Sequence, residues 1–329
     1  MTILIGWLAV GLAAGAQADT GAALYRAWCS SCHGADGRGG SKASVRLEVP
    51  AADLADCATS SAEPEARWLA IVRDGGASVG LSMDMPAYGE AATPDQLRAV
   101  VRYIRSLCGE PGWPPGELNF PRPFLAEKAF PENEVVVEAR GRSQELIYER
   151  RLGRRLQVEG ALRTRADSAG GFDGLTAAFK YNLWHSLPRH ALASAGMEVS
   201  PPLGQSVLWE VEPFLAAGWN PGGRGTVIQG ELLAPWEESE GFTGADLRLG
   251  LGQQVGRIVP MLEAGLSLPR EGPRALDLFP QVWVQLSRLG HVAASMGVDL
   301  PVAGPDPRRA RLIAFLLWDY GDGPLRRGW

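Results

Sequence analysis

The sequence predicts two folded parts, a helical domain at the N-terminal end and then an all-β antiparallel barrel of about 12 strands. Three observations lead there. Apolar residues recur at helical spacing up to about residue 110. A Pro-rich stretch interrupts the pattern over 111–133. Beyond it the hydrophobic period falls from that of a helix to the alternation of a strand.

At 329 residues the chain has room for two modest domains. Its 46% hydrophobic and 21% charged residues are ordinary for a folded protein. The net charge is −5, and the only lysines are Lys42, Lys128 and Lys180. No stretch concentrates positive charge, so nucleic acid is not an expected partner.

Residues 1–18 read as a secretory signal. Ile3 to Ala13 forms an apolar core, and Ala16-Gln17-Ala18 is a small-x-small cleavage signature. The apolar run is shorter than the roughly 20 residues a membrane-spanning helix needs, so cleavage before Asp19 is expected. Export fits the four cysteines. Two lie in a C-x-x-C-H motif. The other two, Cys57 and Cys108, are a pair in an oxidising compartment, where a disulfide is expected.

The first domain is expected over 19–110. Ala22, Leu24, Tyr25 and Trp28 give Gly21–Ser31 an apolar helical face. Cys29-Ser30-Ser31-Cys32-His33 follows. Two thiols three positions apart on one turn reach the two vinyl groups of one porphyrin, and the next residue aims an imidazole at the iron. A C-x-x-C alone also suits a redox disulfide or half a zinc site. The adjoining His33 and the lack of a second C-x-x-C favour one covalent haem c on Cys29 and Cys32. The other histidines, His185, His190 and His291, lie far along the chain, so the sixth ligand is expected from methionine. Met83 and Met85 share one loop. Met85 is the preferred ligand because Pro86 fixes the backbone after it, with Met83 as the alternative. Trp68, Leu69 and Val72 suggest a helix between motif and loop. Thr93-Pro94 starts another, carrying Leu97, Val100, Val101, Ile104 and Leu107.

Gly21 to Cys108 resembles class I cytochrome c, with a helix, CSSCHG, a connecting helix, MPAY and a last helix. The resemblance implies an all-α fold, Cys29 and Cys32 as thioether anchors, His33 as proximal ligand and Met85 as distal ligand. With both axial positions filled, it implies electron transfer rather than turnover of a substrate at iron. If neither Met83 nor Met85 ligates, an open iron site suits a peroxidase or a small-ligand sensor.

Residues 111–133 read as a linker. Pro111, Pro114, Pro115, Pro121, Pro123 and Pro131 exclude a helix or a central strand. Phe120, Phe124, Leu125 and Phe130 are too apolar for a free tether, so part of the linker is expected on a surface or inside something.

The second domain is expected over 134–329. Ala245, Leu247, Leu249 and Leu251 alternate with Asp246, Arg248 and glycines. Phe179, Tyr181 and Leu183 alternate with Lys180 and Asn182. Twelve such segments are expected, near 134–142, 144–152, 155–167, 173–186, 189–202, 207–220, 226–239, 244–256, 258–269, 277–289, 291–303 and 309–320. Short turns and aromatic residues near strand ends fit a transmembrane β-barrel. A soluble β-sandwich also alternates. The residues on the polar face, including Glu159, Arg163, Glu231, Arg248 and Glu263, suit a lumen lined with ion pairs. His185, His190 and His291 are expected to be ordinary turn and strand residues.

A single-haem cytochrome ahead of a barrel resembles the porin–cytochrome fusion proteins of the bacterial outer membrane, some of which are associated with extracellular iron oxidation. That resemblance implies an exported outer-membrane protein with lipid and a redox partner, or an extracellular electron donor or acceptor, as its contacts. The alternative is a soluble periplasmic electron carrier with a β-sandwich docking domain.

Overall fold

The computed structural model describes residues 20–39, 47, 49–166, 171–204, 207–304, 309–322 and 325–326. The expected signal at 1–18 lies outside these.

The N-terminal domain holds α1 (Gly21–Trp28), α2 (Ser30–His33), α3 (Cys57–Ser60), α4 (Glu65–Asp74) and α5 (Pro94–Ser106). Thr20 caps α1, its side chain accepting from the Ala23 N–H. Thr93 and Gln96 form a reciprocal capping box at α5, with Pro94 in the first turn. The apolar faces of α1, α4 and α5 meet in one core around Leu24, Tyr25, Val72, Val100, Val101 and Ile104. At the crossing of α1 and α5, a Cβ on Gly21 would sit 2.1 Å from the Ala99 carbonyl oxygen, so only glycine allows this approach. The helices are short, and irregular segments of comparable length join them. The domain is therefore modestly helical rather than all-α. The cause is local: Gly34, Gly37 and Gly39 all take positive φ just after the C-x-x-C-H motif and end helical structure there.

The C-terminal domain is a closed antiparallel barrel of twelve long strands. They are β1 (Glu134–Arg140), β2 (Ser143–Leu152), β3 (Leu156–Arg165), β4 (Phe172–Ser186), β5 (Ala191–Ser200) and β6 (Glu210–Trp219). Then come β7 (Thr226–Leu233), β8 (Gly244–Gln253), β9 (Ile258–Pro269), β10 (Ala275–Gln285), β11 (Val292–Ala303) and β12 (Arg311–Asp319). Each strand pairs with its neighbours in sequence, and β12 closes on β1 from Glu134↔Asp319 to Arg140↔Ile313. A hairpin of two-residue strands, Trp236–Glu237 and Gly241–Phe242, decorates the β7–β8 connection.

Burial decides between barrel and sandwich. On β8 the leucines Leu247, Leu249 and Leu251 face outward and are exposed. Inward-facing Glu149, Asn182 and Glu263 are each 0% exposed, and Lys180 is 2%. A water-soluble sandwich buries its leucines and exposes its charges. This domain does the reverse, as a barrel with an apolar exterior does.

The lumen is filled by the chain itself. Residues 118–133 run into the barrel and back, and Leu118, Phe120 and Phe130 pack on Leu192, Phe214, Val227 and Leu233 of the wall. Deeper in, the plug's backbone N–H groups need acceptors, since prolines and tight turns leave them without a ladder. Glu263 supplies them: its carboxylate accepts from Phe124 at 2.6 Å, Leu125 at 2.9 Å and Ala126 at 3.3 Å. Glu231 accepts from the Glu127 N–H at 3.1 Å. Plug cations are paired as well. Arg122 bonds Glu149, and Lys128 bonds Glu134 at 2.9 Å and also meets Glu132. Residues 118–133 of the linker thus form a plug inside the barrel.

Plug and helical domain join at the barrel mouth that also carries the start of β1 and the end of β12. Arg67 of α4 lies over Gly290 of the β10–β11 turn, where a Cβ would meet its Nη2 at 2.0 Å. Its Nη1 stands 3.8 Å from Asp322. Arg154 and Arg155 of the β2–β3 turn donate to the carbonyls of Pro111 and Gly112. Glu117 clamps the linker to the helices: it accepts from Arg105 at 2.5 Å and 2.9 Å and from the Glu65 N–H at 3.0 Å.

Candidate functional site

The C-x-x-C-H motif occupies the end of α1 and all of α2. Cys29 closes α1 with its N–H on the Tyr25 carbonyl, and its thiol is buried against the helical core. Cys32 lies one turn on, half-buried. Neither thiol is in a disulfide. Burial, and then the neighbouring Cys32, push the Cys29 thiol up to about 11. A dithiol redox catalyst needs the opposite, a thiol whose acidity is raised. The site is poorly suited to thiol–disulfide exchange.

His33 Nδ1 lies 3.1 Å from the carbonyl oxygen of Ala52. A carbonyl only accepts, so in the neutral imidazole the ring proton sits on Nδ1 and Nε2 keeps its lone pair. That is the tautomer a metal-ligating histidine takes, with the second nitrogen fixed by a backbone acceptor.

The two methionines of the loop differ sharply. Met83 is 87% exposed. Met85 packs against the helical core beside Trp28, Trp68, Leu69 and Tyr88. The loop is closed by the Gly76 N–H on the Met85 carbonyl at 3.0 Å and by the Tyr88 N–H on the Val72 carbonyl at 3.0 Å. Tyr88 stacks on Trp28, 5.1 Å between ring centroids, and its hydroxyl donates to the Trp28 carbonyl at 2.7 Å. Burial, then Cys29 and Cys32, raise the Tyr88 phenol, which keeps its proton for that bond.

These residues fit a haem. Two free thiols, an imidazole and a half-buried thioether belong to one domain, among half-buried aromatic and aliphatic side chains. The Trp68 indole N–H is buried with no acceptor among the described residues. A buried donor without a partner is costly, and a haem propionate is an acceptor of the right kind.

Cys57 and Cys108 are joined by a disulfide, with Cα atoms 5.0 Å apart. It ties the start of α3 to the second residue past α5. His185 and His190 flank the β4–β5 turn, where His185 Nδ1 lies 2.8 Å from Asn182 Oδ1 and His190 takes a φ of 48°. His291 is buried at the start of β11 near Ser287. Among the described residues the acidic cluster that brings three carboxylates together is Glu132, Glu134 and Asp319, where the plug leaves the barrel. Sequence reasoning did not single it out. Lys128 already supplies its positive charge.

Residues 16–104 match the family model described as cytochrome C oxidase, cbb3-type, subunit III. A search of the curated proteins returns no match. Among solved structures the chain is similar to one described as KdgM porin in complex with disordered oligogalacturonate, at 10% identity and TM-score 0.45, covering 57% of this chain and 98% of that one. It is also similar to a NanC porin structure, at 8% identity and TM-score 0.43, covering 56% and 98%. LpxR from Salmonella typhimurium is similar at 8% identity and TM-score 0.36, covering 57% and 100%. The barrel assignment stands on its own closed strand register, and the family match covers the first domain alone. Together they define the class: a cytochrome c domain joined to a closed β-barrel.

Proposed function

We propose that this is a mono-haem c electron-transfer protein held at the outer membrane by its barrel. Cys29 and Cys32 carry the haem in thioether linkage, and His33 and Met85 are its axial ligands. The haem supplies a one-electron Fe(III)/Fe(II) couple. The observation that carries the reading is the pairing of His33, with Nε2 free, and a core-packed Met85 in one small domain.

The chain's own residues do the rest. The Ala52 carbonyl orients His33. The Tyr88–Trp28 contact holds the Met loop against the end of α1, next to Cys29. A thioether ligand raises the potential relative to a second histidine, and the apolar side chains around the site limit water. With both axial positions filled, no substrate reaches iron, so the reading favours electron transfer over a peroxidase.

The exposed leucine and aromatic faces of the barrel suit lipid. The connections at the mouth shared with the helical domain are all short. The opposite mouth has the longer connections 201–209 and 234–243. Outer-membrane barrels keep short turns on the periplasmic side, so the reading puts the haem at the periplasmic mouth and the signal at 1–18 in the precursor. The filled lumen favours an anchor over a solute pore. The partner is a redox protein on the periplasmic face, or an extracellular donor or acceptor reached across the membrane.

The test of the haem assignment is a denaturing gel stained for haem. The native chain is expected to stain, and Cys29→Ser with Cys32→Ser to lose the stain. Stain retained in the double variant overturns covalent attachment at these residues.

A further inference from the structure

The barrel mouth opposite the helical domain holds a cavity of about 320 Å³ that electron transfer does not use. Its walls come from β1 and β8–β12, and its floor is Leu125 of the plug. Three arginines, Arg140, Arg248 and Arg311, and three aspartates, Asp246, Asp277 and Asp299, line it. Among the described residues the lining charge therefore sums to zero, which disfavours a simple anion or a metal cation.

Two of these groups are left with polar atoms to spare. Asp299 is only 8% exposed, yet its Oδ1 has no hydrogen-bond partner among the described residues. The Arg140 Nε is buried and also has none among the described residues, while its guanidinium lies 5.2 Å from the centroid of the Phe279 ring. By contrast Arg248 is engaged, donating to Glu231 at 3.0 Å and to the Leu125 carbonyl at 2.8 Å. A buried carboxylate oxygen and a buried guanidinium N–H that face one cavity are each costly unless a ligand satisfies them. Beside them Leu125 and Phe279 offer an apolar wall.

We infer that this mouth is a binding site for a small zwitterion with an apolar side chain, of the α-amino acid class. The ammonium meets Asp299, the carboxylate meets Arg140, and the side chain lies on Phe279 and Leu125. Neither the haem ligands nor the membrane reading is needed for the site, since it is built wholly from the barrel and its plug.

The probe is L-leucine, titrated by calorimetry into the detergent-solubilised, haem-loaded full chain. Leucinamide keeps only the cation, and isocaproate keeps only the anion. L-leucine is expected to bind at least about ten-fold more tightly than either, the worth of one charge-assisted hydrogen bond. Asp299→Asn and Arg140→Gln are each expected to weaken it by a similar factor, with the barrel's heat-modifiability on gels unchanged. The three-ligand comparison on the native chain stands even if a variant misfolds. Absence of binding, equal binding of leucinamide or isocaproate, or folded variants that bind as the native chain does would each overturn the site.

Discussion

Tyr88 donates its hydroxyl to the Trp28 carbonyl at 2.7 Å while its ring stacks on Trp28. The contact spans 60 residues and fastens the Met loop to the helix that presents Cys29. Tyr88→Phe keeps the stack and removes the bond. Thermal melting followed by haem absorption is expected to show a loss of about 1 kcal/mol. The weak red absorption of Met-ligated ferric haem is expected to bleach at lower temperature than in the native protein. An unchanged bleaching temperature would mean that the loop is held by other contacts.

Met85 and Met83 separate cleanly in a ligand test. Met85→Ala is expected to abolish that red band and lower the reduction potential, because the iron loses its thioether. Met83→Ala is expected to change neither, since its side chain stands in solvent. Optical spectra and redox titration of both variants check this. Loss of the band in the Met83 variant would reverse the assignment.

Glu117 gives a pH dependence of definite sign. Burial alone would raise its carboxyl, but the hydrogen bond from Arg105, the Glu65 N–H and the Arg105 charge together hold it below the ordinary value. A carboxylate with a depressed folded value stabilises the fold at neutral pH, and that share is lost as pH falls through the folded value. Glu117→Gln is expected to cost about 1–3 kcal/mol at neutral pH, the range for hydrogen bonds to charged groups. The gap between native and variant melting curves should shrink as the buffer is acidified. A gap that grows in acid would contradict the clamp.

The plug predicts a silent barrel. In a planar bilayer the native protein is expected to pass almost no ion current. Glu263→Ala removes the acceptor of three plug N–H groups, so intermittent conductance is expected. Steady porin-like conductance of the native chain would show that the plug does not fill the lumen in lipid.

The strands were the most legible part of the sequence, because an inside-out wall still alternates. All twelve expected segments overlap a strand, from β1 at 134–140 to β12 at 311–319. Errors fell at the ends. The fifth segment was expected from 189, but His190 takes a left-handed turn and β5 starts at Ala191. The seventh was expected to reach 239, but Ala234-Pro235 ends β7 at Leu233 and a separate small hairpin follows. In the first domain the motif and the capping box at Thr93 were legible, being local. Met83 and Met85 were not separable by type or spacing, because their difference is burial. The plug was only half legible. Phe120 and Phe130 announced burial, but the acceptors of its backbone, Glu263 and Glu231, look in sequence like any lumen acid. Long-range partners more than 100 residues away leave no local signature.

The central claim, a cytochrome anchored by an outer-membrane barrel, is tested most directly by fractionating cells that export the chain. Fractions are run with and without boiling and stained for haem. The account predicts haem stain in the outer-membrane fraction, on a band whose mobility shifts when boiling unfolds the barrel. Haem stain in the soluble periplasm, on a band indifferent to boiling, would contradict it.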